Sequence, residues 1–339
     1  MTRITVKSLV KGIEIEDGEV IDNQKKLKKW VGRKRIMKFN IVGSGVRVKV
    51  YDEVSNDDVF KNTVAIAGYQ NEFIKETISF INKSFNLEIL LVDQESAYTG
   101  VALVNYPDNF YRTGGYSRKN NNNGKPFDTM LFMTSPYENE SWKAIFLHEM
   151  GHLLGLEHPW DDDDGDSSIK ERDRGKRYDT VMVDNLINTK GRQKLTYQDL
   201  DIKALGIIWG HRIKGTRLGD HLTGDIGDDI MKSGKGADVL LGSKGNDKLI
   251  SGAGDDILNG GLGDDILIGG NGADTHILSK GKDSFVAFKI DEGDVIEIDK
   301  SLKYSLEQSN GHAHIFHDNG VTSVRNISLA ELESAIKII

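Results

Sequence analysis

The chain has 339 residues, enough for two or three domains, a net charge of −8 and no cysteine. The lack of cysteine excludes a disulfide scaffold, so an exported protein of this composition needs another way to stabilise its fold. No segment has the long apolar run that a membrane-spanning helix requires, and residues 1–10 lack the apolar core of a cleavable secretory signal.

A basic segment opens the chain. Residues 1–50 contain 13 Lys and Arg against 5 Asp and Glu, and the densest part is the run Lys25–Lys38. Such a run can bind nucleic acid, but only Trp30 is interleaved as a base-stacking aromatic, so we favour a solvated face or a pro-segment. We therefore predict a separate N-terminal segment over residues 1–38 and no nucleic-acid partner.

Strand and helix patterns alternate after the basic segment. Apolar positions spaced for a helix, including Phe73, Ile74 and Ile78, predict an amphipathic helix over residues 64–85. Alternating apolar residues and short apolar runs predict strands within residues 35–51, 87–92, 99–105 and 129–134.

An eleven-residue run then has the spacing of a catalytic zinc site. His148 and His152 lie four apart and share one face of a predicted helix. Gly155 allows the chain to leave that helix, and the turn can bring His158 toward the other two imidazoles. Three imidazoles leave a fourth position open for a water molecule, and Glu149 is placed to take its proton. Histidines buried in an ordinary core are the alternative, but the fixed offsets favour zinc.

This run resembles the zinc-binding consensus of the metzincin metalloproteases, and Pro159 after the third histidine is similar to the serralysin branch. The resemblance implies a metzincin-like catalytic domain of the α+β class, to which we assign residues 39–212. Metzincins carry a methionine turn beneath the zinc, and Met182 in Tyr178–Met182 is the candidate. They also bind substrate along an edge strand, for which residues 129–134 are the candidate. A core strand is the simpler interpretation of these residues, and the two interpretations are compatible.

Three features complete the predicted catalytic domain. Asp184 stands where serralysins carry a tyrosine that stabilises the transition state, although matrixins work without one. The acidic run Asp161–Asp166 stays in water unless a cation such as calcium gathers it. Residues 195–210 are predicted to form the last helix, with a capping box of Thr196 and Asp199.

A second signal begins at Gly224, where the chain repeats every nine residues for six ungapped copies that end at Ile277. A degenerate copy, Gly215–Thr223, precedes them. The eighth position is apolar in every copy except the last, where His276 interrupts it. The sixth position is always aspartate: Asp220, Asp229, Asp238, Asp247, Asp256, Asp265 and Asp274.

This period predicts an all-β parallel β-roll. Each copy supplies a glycine-rich turn and a short strand, and stacked turns bring carboxylates and carbonyls together around calcium. Rows of like charge are unfavourable without a cation, so folding should be coupled to calcium. A flexible glycine-rich linker is the alternative, but linkers do not keep an aspartate on a fixed period.

The repeats resemble the RTX repeats of type I secreted proteins, and serralysins join such a roll to a metzincin domain in this order. The resemblance implies an RTX domain with a C-terminal secretion region over residues 213–339. It implies a secreted, extracellular zinc endopeptidase that needs Zn²⁺ and Ca²⁺, cleaves proteins and peptides through a zinc-bound water activated by Glu149, and meets the type I secretion machinery. We expect a monomer. The alternative is a calcium-binding surface or binding module whose protease domain is catalytically impaired.

The tail is predicted to continue as strands. Residues 294–298 alternate, and residues 312–317 and 321–324 flank a hairpin turn. Ser328 and Glu331 form a capping box before a short terminal helix. Two tail histidines on one strand face are interpreted as exposed polar residues rather than metal ligands: His312 and His314.

Overall fold

The chain divides into two compact units at Leu205 and Gly206, with the short segment Ser84–Asn86 belonging to the second unit. Within the described residues, no helix is long and apolar enough to span a membrane. The computed structural model describes residues 34–41, 43–45, 47–52, 57–62, 65–92, 101–106, 115–120, 128–134, 139–156 and 196–339. The predicted domain boundaries after residues 38 and 212 stay predictions.

The first unit contains a five-stranded sheet in the order β4-β1-β5-β7-β6. Four of its strands run parallel, and β6 pairs antiparallel with β7 at one edge. Parallel neighbours need crossover connections, and the connection from β1 to β4 contains a helix, Gly68–Ser84. The strands are β1 (Ile36–Ile41), β4 (Glu88–Leu91), β5 (Val101–Tyr106), β6 (Gly115–Asn120) and β7 (Asp128–Thr134).

The position of β7 corrects one prediction. Residues 129–134 were the candidate edge strand, but β7 pairs with β5 on one side and with β6 on the other. The alternative, a core strand, is what the structure has. On this side of the sheet the edge strand is β6, whose sequence GYSRKN lacks the alternation that predicts a strand, and β4 forms the other edge.

A hairpin of β2 (Arg47–Asp52) and β3 (Asp57–Asn62) lies outside this sheet. Helix α1 (Gly68–Ser84) follows and confirms the helix predicted over residues 64–85. The Asn82 side chain links α1 to β4, because it donates to the Ile89 carbonyl at 3.0 Å and accepts from the Ile89 N–H at 2.7 Å.

Two further helices follow, α2 (Asn139–Leu153) and α3 (Asp199–Trp209). The capping prediction for α3 was two residues early. The backbone N–H of Gln198 donates to the carboxylate of Asp201 at 2.8 Å, so the acidic cap sits at Asp201 rather than at Asp199. The helix ends at Gly210, whose φ of 76° only glycine adopts easily.

The second unit contains the predicted parallel β-roll. Strands alternate between two sheets, ordered β18-β19-β20-β16-β14-β12-β10-β8 and β21-β17-β15-β13-β11-β9. Parallel partners are therefore two repeats apart, as in the ladder Met231, Leu249 and Leu267. The strands are β8 (Arg212–Lys214), β9 (His221–Thr223), β10 (Ile230–Lys235), β11 (Val239–Leu241), β12 (Lys248–Ala253), β13 (Ile257–Asn259), β14 (Ile266–Asn271), β15 (Thr275–Ile277), β16 (Gly281–Val286), β17 (Val295–Ile298), β18 (Tyr304–Ser309), β19 (His312–His317), β20 (Gly320–Val324) and β21 (Ile336–Ile338).

The eighth position of each repeat fills the interior of the roll. Its side chains are completely buried and form one continuous apolar cluster: Met231, Leu240, Leu249, Leu258, Leu267 and Phe285. Each copy contributes one large side chain, so the apolar core is thin, as the period predicts.

The C-terminal end of the roll is covered by antiparallel strands and a helix. Strands β18, β19 and β20 confirm the predicted hairpin, and α4 (Leu329–Ala335) begins with the predicted capping box of Ser328 and Glu331. His314 lies between two serine hydroxyls, each 2.9 Å from a ring nitrogen: Ser309 and Ser323.

Candidate metal sites

Helix α2 holds two of the three predicted zinc ligands. His148 and His152 lie on one face, with ring centroids 4.8 Å apart in an edge-to-face arrangement. The opposite face is apolar and buried, and the Trp142 ring stacks on Phe146 with centroids 5.4 Å apart. The packing of that face fixes the helix, so the two imidazoles are presented together.

The end of α2 has the geometry of a Schellman motif. Gly155 has a φ of 98°, in the left-handed region that glycine favours. Its N–H donates to the His152 carbonyl at 3.0 Å, and the Leu156 N–H donates to the Gly151 carbonyl at 2.8 Å. The predicted role of Gly155 as the residue at which the chain leaves the helix is therefore confirmed.

The same turn orients the imidazole of His152. Its Nδ1 lies 3.0 Å from the Leu156 carbonyl oxygen. A carbonyl can only accept a hydrogen bond, so Nδ1 carries the proton and, in the neutral ring, Nε2 carries the lone pair. Histidines that bind metals are commonly held by this kind of backbone contact.

Glu149 lies beside His148 and is 7% exposed. The remaining predicted zinc-site residues, His158 and Met182, lie outside the described residues, as do Asp184 and the acidic run Asp161–Asp166. Within the part of the chain that the structure describes, no three His, Asp or Glu side chains converge on a metal position.

The aspartates of the roll form two rows, one on each side. In both rows the backbone N–H of one aspartate donates to Oδ1 of the next aspartate of its row, at 2.8–3.1 Å. The first carboxylate row contains Asp229, Asp247, Asp265 and Asp283. The second carboxylate row contains Asp220, Asp238, Asp256, Asp274 and Asp294.

The second oxygen of the central carboxylates is buried without a partner. Among residues 196–339, five Oδ2 atoms accept no hydrogen bond: those of Asp238, Asp247, Asp256, Asp265 and Asp274. Burial, reinforced by neighbouring aspartates, raises the pKa of Asp247 to about 9 and the pKa values of Asp265 and Asp274 to about 7. The ionised carboxylates are thus unfavourable alone, and buried oxygens without a hydrogen bond fit a hard cation such as calcium. Because no three acidic side chains converge, calcium here needs backbone carbonyls as further ligands.

At the row ends, protein groups satisfy this oxygen. Oδ2 of Asp229 accepts from the Asp225 N–H at 2.9 Å, and Oδ2 of Asp283 accepts from the Ser279 hydroxyl at 2.8 Å. Oδ2 of Asp220 likewise accepts from the Thr216 N–H at 2.6 Å, and Oδ2 of Asp294 accepts from the Lys289 N–H at 2.7 Å.

His211 precedes the first carboxylate row by one step. Its backbone N–H donates to Oδ1 of Asp229, and its Nε2 lies 3.2 Å from Oδ2 of Asp225. The hydrogen bond to Asp225 raises the pKa of His211, although burial opposes it. Burial raises the pKa of Asp225, but its hydrogen bonds to His211 and Gly227 outweigh burial and lower it overall.

Sequence reasoning missed Asp283 and Asp294. Asp283 follows Asp265 by one more double repeat, and Leu278–Val286 keeps glycine at position four and an aromatic residue at position eight, so a longer scan would have found it. Asp294 follows Asp274 by 20 residues instead of 18, and this insertion hides it from a nine-residue period.

Comparison with known proteins agrees with this geometry. Residues 214–249 and 241–275 match the family model of the RTX calcium-binding nonapeptide repeat, which comprises four copies. The fold and the match together define a calcium-binding β-roll. The chain carries RTX calcium-binding repeats, which are typical of proteins secreted by type I export. No curated protein matches this chain.

Proposed function

We propose that this protein is a secreted, calcium-dependent zinc endopeptidase, with zinc held by His148, His152 and His158. The observation that carries the proposal is the orientation of His152, whose Nδ1 donates to the Leu156 carbonyl at 3.0 Å. That contact directs the unprotonated Nε2 away from the backbone, on the face shared with His148. Three imidazole nitrogens suit zinc and leave it one open position.

The chemistry would be divided between the metal and Glu149. Zinc, when bound, acts as a Lewis acid that polarises a peptide carbonyl and lowers the pKa of water. The Glu149 carboxylate would take a proton from the attacking water and deliver it to the leaving amine. Its burial would keep that proton from exchanging with solvent. Met182 is proposed as an apolar floor beneath the imidazoles.

Calcium would control where the roll folds. The roll buries unpartnered carboxylate oxygens, and extracellular calcium modules bind at about 10⁻⁴–10⁻³ M. In calcium-poor cytosol the roll would stay unfolded, ready for the type I secretion machinery, and it would fold outside the cell. The expected substrates are proteins and peptides.

A second candidate is a calcium-binding surface or binding module with an impaired protease domain. The specific observation in its favour is that the family match lies within residues 214–275, inside the roll. The aspartate at position 184, where serralysins carry tyrosine, points the same way. Intact Glu149 and intact histidine spacing favour the peptidase.

The test is Glu149→Gln in the full-length protein with calcium present. We expect zinc content of the purified protein to stay near one per chain, measured by mass spectrometry of the metal, while casein digestion falls by at least about a hundredfold. Glu76→Gln is the matched control, because Glu76 is an exposed glutamate on α1. A variant that digests casein at the wild-type rate would remove Glu149 from the mechanism.

A histidine pair separates the two candidate functions. His152→Ala should lose both zinc and proteolysis, whereas His221→Ala, an exposed histidine of the roll, should keep both. Wild-type protein that binds zinc but does not cleave casein would favour the calcium-binding module. Wild-type protein without zinc would exclude the peptidase.

A further inference from the structure

The two carboxylate rows differ at the first position of the repeat. In the first row, three copies carry glycine at this position, Gly224, Gly242 and Gly260, and the copy of Asp283 begins with Leu278. In the second row, the two central copies carry serine: Ser233 and Ser251. Both rows have the same kind of turn and the same parallel pairing of strands, so they can be compared within one molecule.

In the first row, the absence of a Cβ lets two oxygen atoms approach each glycine closely. A Cβ atom on Gly242 would clash with Oδ2 of Asp247 and with the carbonyl oxygen of Gly260, so both oxygens face the same point. Gly224 likewise faces Oδ2 of Asp229 and the carbonyl oxygen of Gly242, but the Met231 methyl group also lies there and this Oδ2 already accepts from the Asp225 N–H. Asp247 is 1% exposed, and its Oδ2 accepts no hydrogen bond from the described residues. A buried carboxylate oxygen without a hydrogen bond and a carbonyl oxygen beside it are ligands that suit calcium.

In the second row, serine replaces glycine at this position, and its hydroxyl donates a hydrogen bond. The Ser233 hydroxyl donates to the Ser251 carbonyl at 2.8 Å, and the Ser251 hydroxyl donates to the Gly269 carbonyl at 2.6 Å. These carbonyls correspond to those of Gly242 and Gly260 in the first row. No side chain within residues 196–339 donates a hydrogen bond to either of those two glycine carbonyls.

We propose that the roll binds calcium unequally, tightly along the first carboxylate row and weakly at the serine-containing turns of the second. There the hydroxyls of Ser233 and Ser251 already satisfy the carbonyls that a cation would otherwise use. Freeing such a carbonyl gives up a typical hydrogen bond, which lowers calcium affinity by about three- to tenfold per site. The inference rests on calcium binding by the roll and is independent of zinc and proteolysis.

Reciprocal substitutions in the full-length protein test this proposal by calorimetric titration with calcium alone. Wild-type protein should show a tight and a weak class of sites. Ser251→Gly should tighten the weak class by about three- to tenfold. Gly242→Ser should weaken the tight class by at least that factor, because its Cβ also displaces Oδ2 of Asp247 and the Gly260 carbonyl, and Gly242→Ala measures this steric part separately. Ser251→Ala should also tighten binding, because it removes the hydroxyl without adding the flexibility of glycine.

A pair of aspartates provides a second measurement. Asp247 and Asp256 are both 1% exposed and both have an unpartnered Oδ2 among the described residues. Asp247→Asn should remove a tight site, and Asp256→Asn should affect the weak class alone. Three results would overturn the proposal. They are a single class of sites in the wild type, weaker calcium binding in Ser251→Gly and Ser251→Ala, or equal losses of calcium binding in Asp247→Asn and Asp256→Asn. Zinc content measured on the same samples tests the peptidase separately.

Discussion

The helix α2 and the β-roll both bury carboxylates, but in different numbers and surroundings. Among the side chains of α2 whose burial the structure describes, the carboxylate of Glu149 is buried, on the helix that also carries His148 and His152. In the roll eight aspartates are buried. Within each row, the backbone N–H of one aspartate donates to the carboxylate of the next. One carboxylate can be balanced by its neighbours, whereas rows of like charge cannot. We therefore expect packing and capping to form α2 without an ion, and we expect folding of the roll to depend on calcium.

Removal of calcium should have the largest effect. Excess EGTA should abolish most of the β-sheet circular dichroism of the full-length protein, with a midpoint at about 10⁻⁴–10⁻³ M free calcium. The reason is that the pKa of Asp247, raised to about 9, makes its ionised form costly at neutral pH without a cation. Magnesium at equal concentration is the control and should not restore the signal, because it requires a more rigid octahedral site. If the roll keeps its circular dichroism signal in EGTA, its fold does not depend on calcium, and the expected difference between the two regions is wrong.

Substituting one leucine in each region tests whether the regions respond separately. Leu258 in the roll and Leu154 at the end of α2 are both completely buried. Each change to alanine should cost about 2–5 kcal/mol of folding free energy. Leu258→Ala should raise the calcium midpoint measured by circular dichroism, and Leu154→Ala should leave it unchanged. If both variants shift the midpoint equally, folding of the two regions is coupled.

The sequence predicts the roll more completely than the first unit, because the roll repeats one pattern and the first unit does not. The nine-residue period specifies turn, strand, core position and carboxylate in every copy, so the roll was predicted almost completely. Asp294 was missed because a two-residue insertion breaks the period where the ladder continues. Each copy repeats the same pattern, so a deviation in one copy does not obscure the fold.

In the first unit each sequence pattern occurs only once, so no repeat supports its interpretation. The helix containing His148 and His152 was predicted because its spacing is local. The edge strand β6 was not, since its pairing with β7 depends on residues distant in the sequence. The contact between His152 and the Leu156 carbonyl could not be predicted either, because it exists only once Gly155 adopts its positive φ.

His276 gives a pH-dependent difference between the regions. It replaces leucine in the core of the roll, packs against Phe285 and Phe288, and neither ring nitrogen has a hydrogen-bond partner among the described residues. Burial lowers its pKa to about 4, below the value of about 6.5 in the unfolded chain. This histidine therefore costs the roll no stability through protonation above pH 6.5, and stability is lost progressively as the pH falls toward 4.

We expect His276→Leu to stabilise the roll, with a gain over the wild type that grows by about 2 kcal/mol between pH 6.5 and pH 5. Denaturant unfolding in saturating calcium measures it, because bound calcium keeps the aspartates ionised across this range. His221→Gln is the control, since His221 is exposed on β9 and should leave the pH profile unchanged. Parallel pH profiles for His276→Leu and the wild type would show that His276 is not the titrating group.

The smallest effect should come from Gly155→Ala. Alanine at a φ of 98° costs about 1–2 kcal/mol, and the cost falls on the turn that places the Leu156 carbonyl against His152. Loosening this contact should weaken zinc binding by about tenfold, as measured by competition with a chromophoric chelator, while the calcium midpoint stays constant. Gly68→Ala is the matched control, because Gly68 has no positive φ and no atom near the added methyl group. If Gly155→Ala binds zinc as tightly as Gly68→Ala, the Schellman turn does not orient His152, and the site on α2 depends on packing of the helix alone.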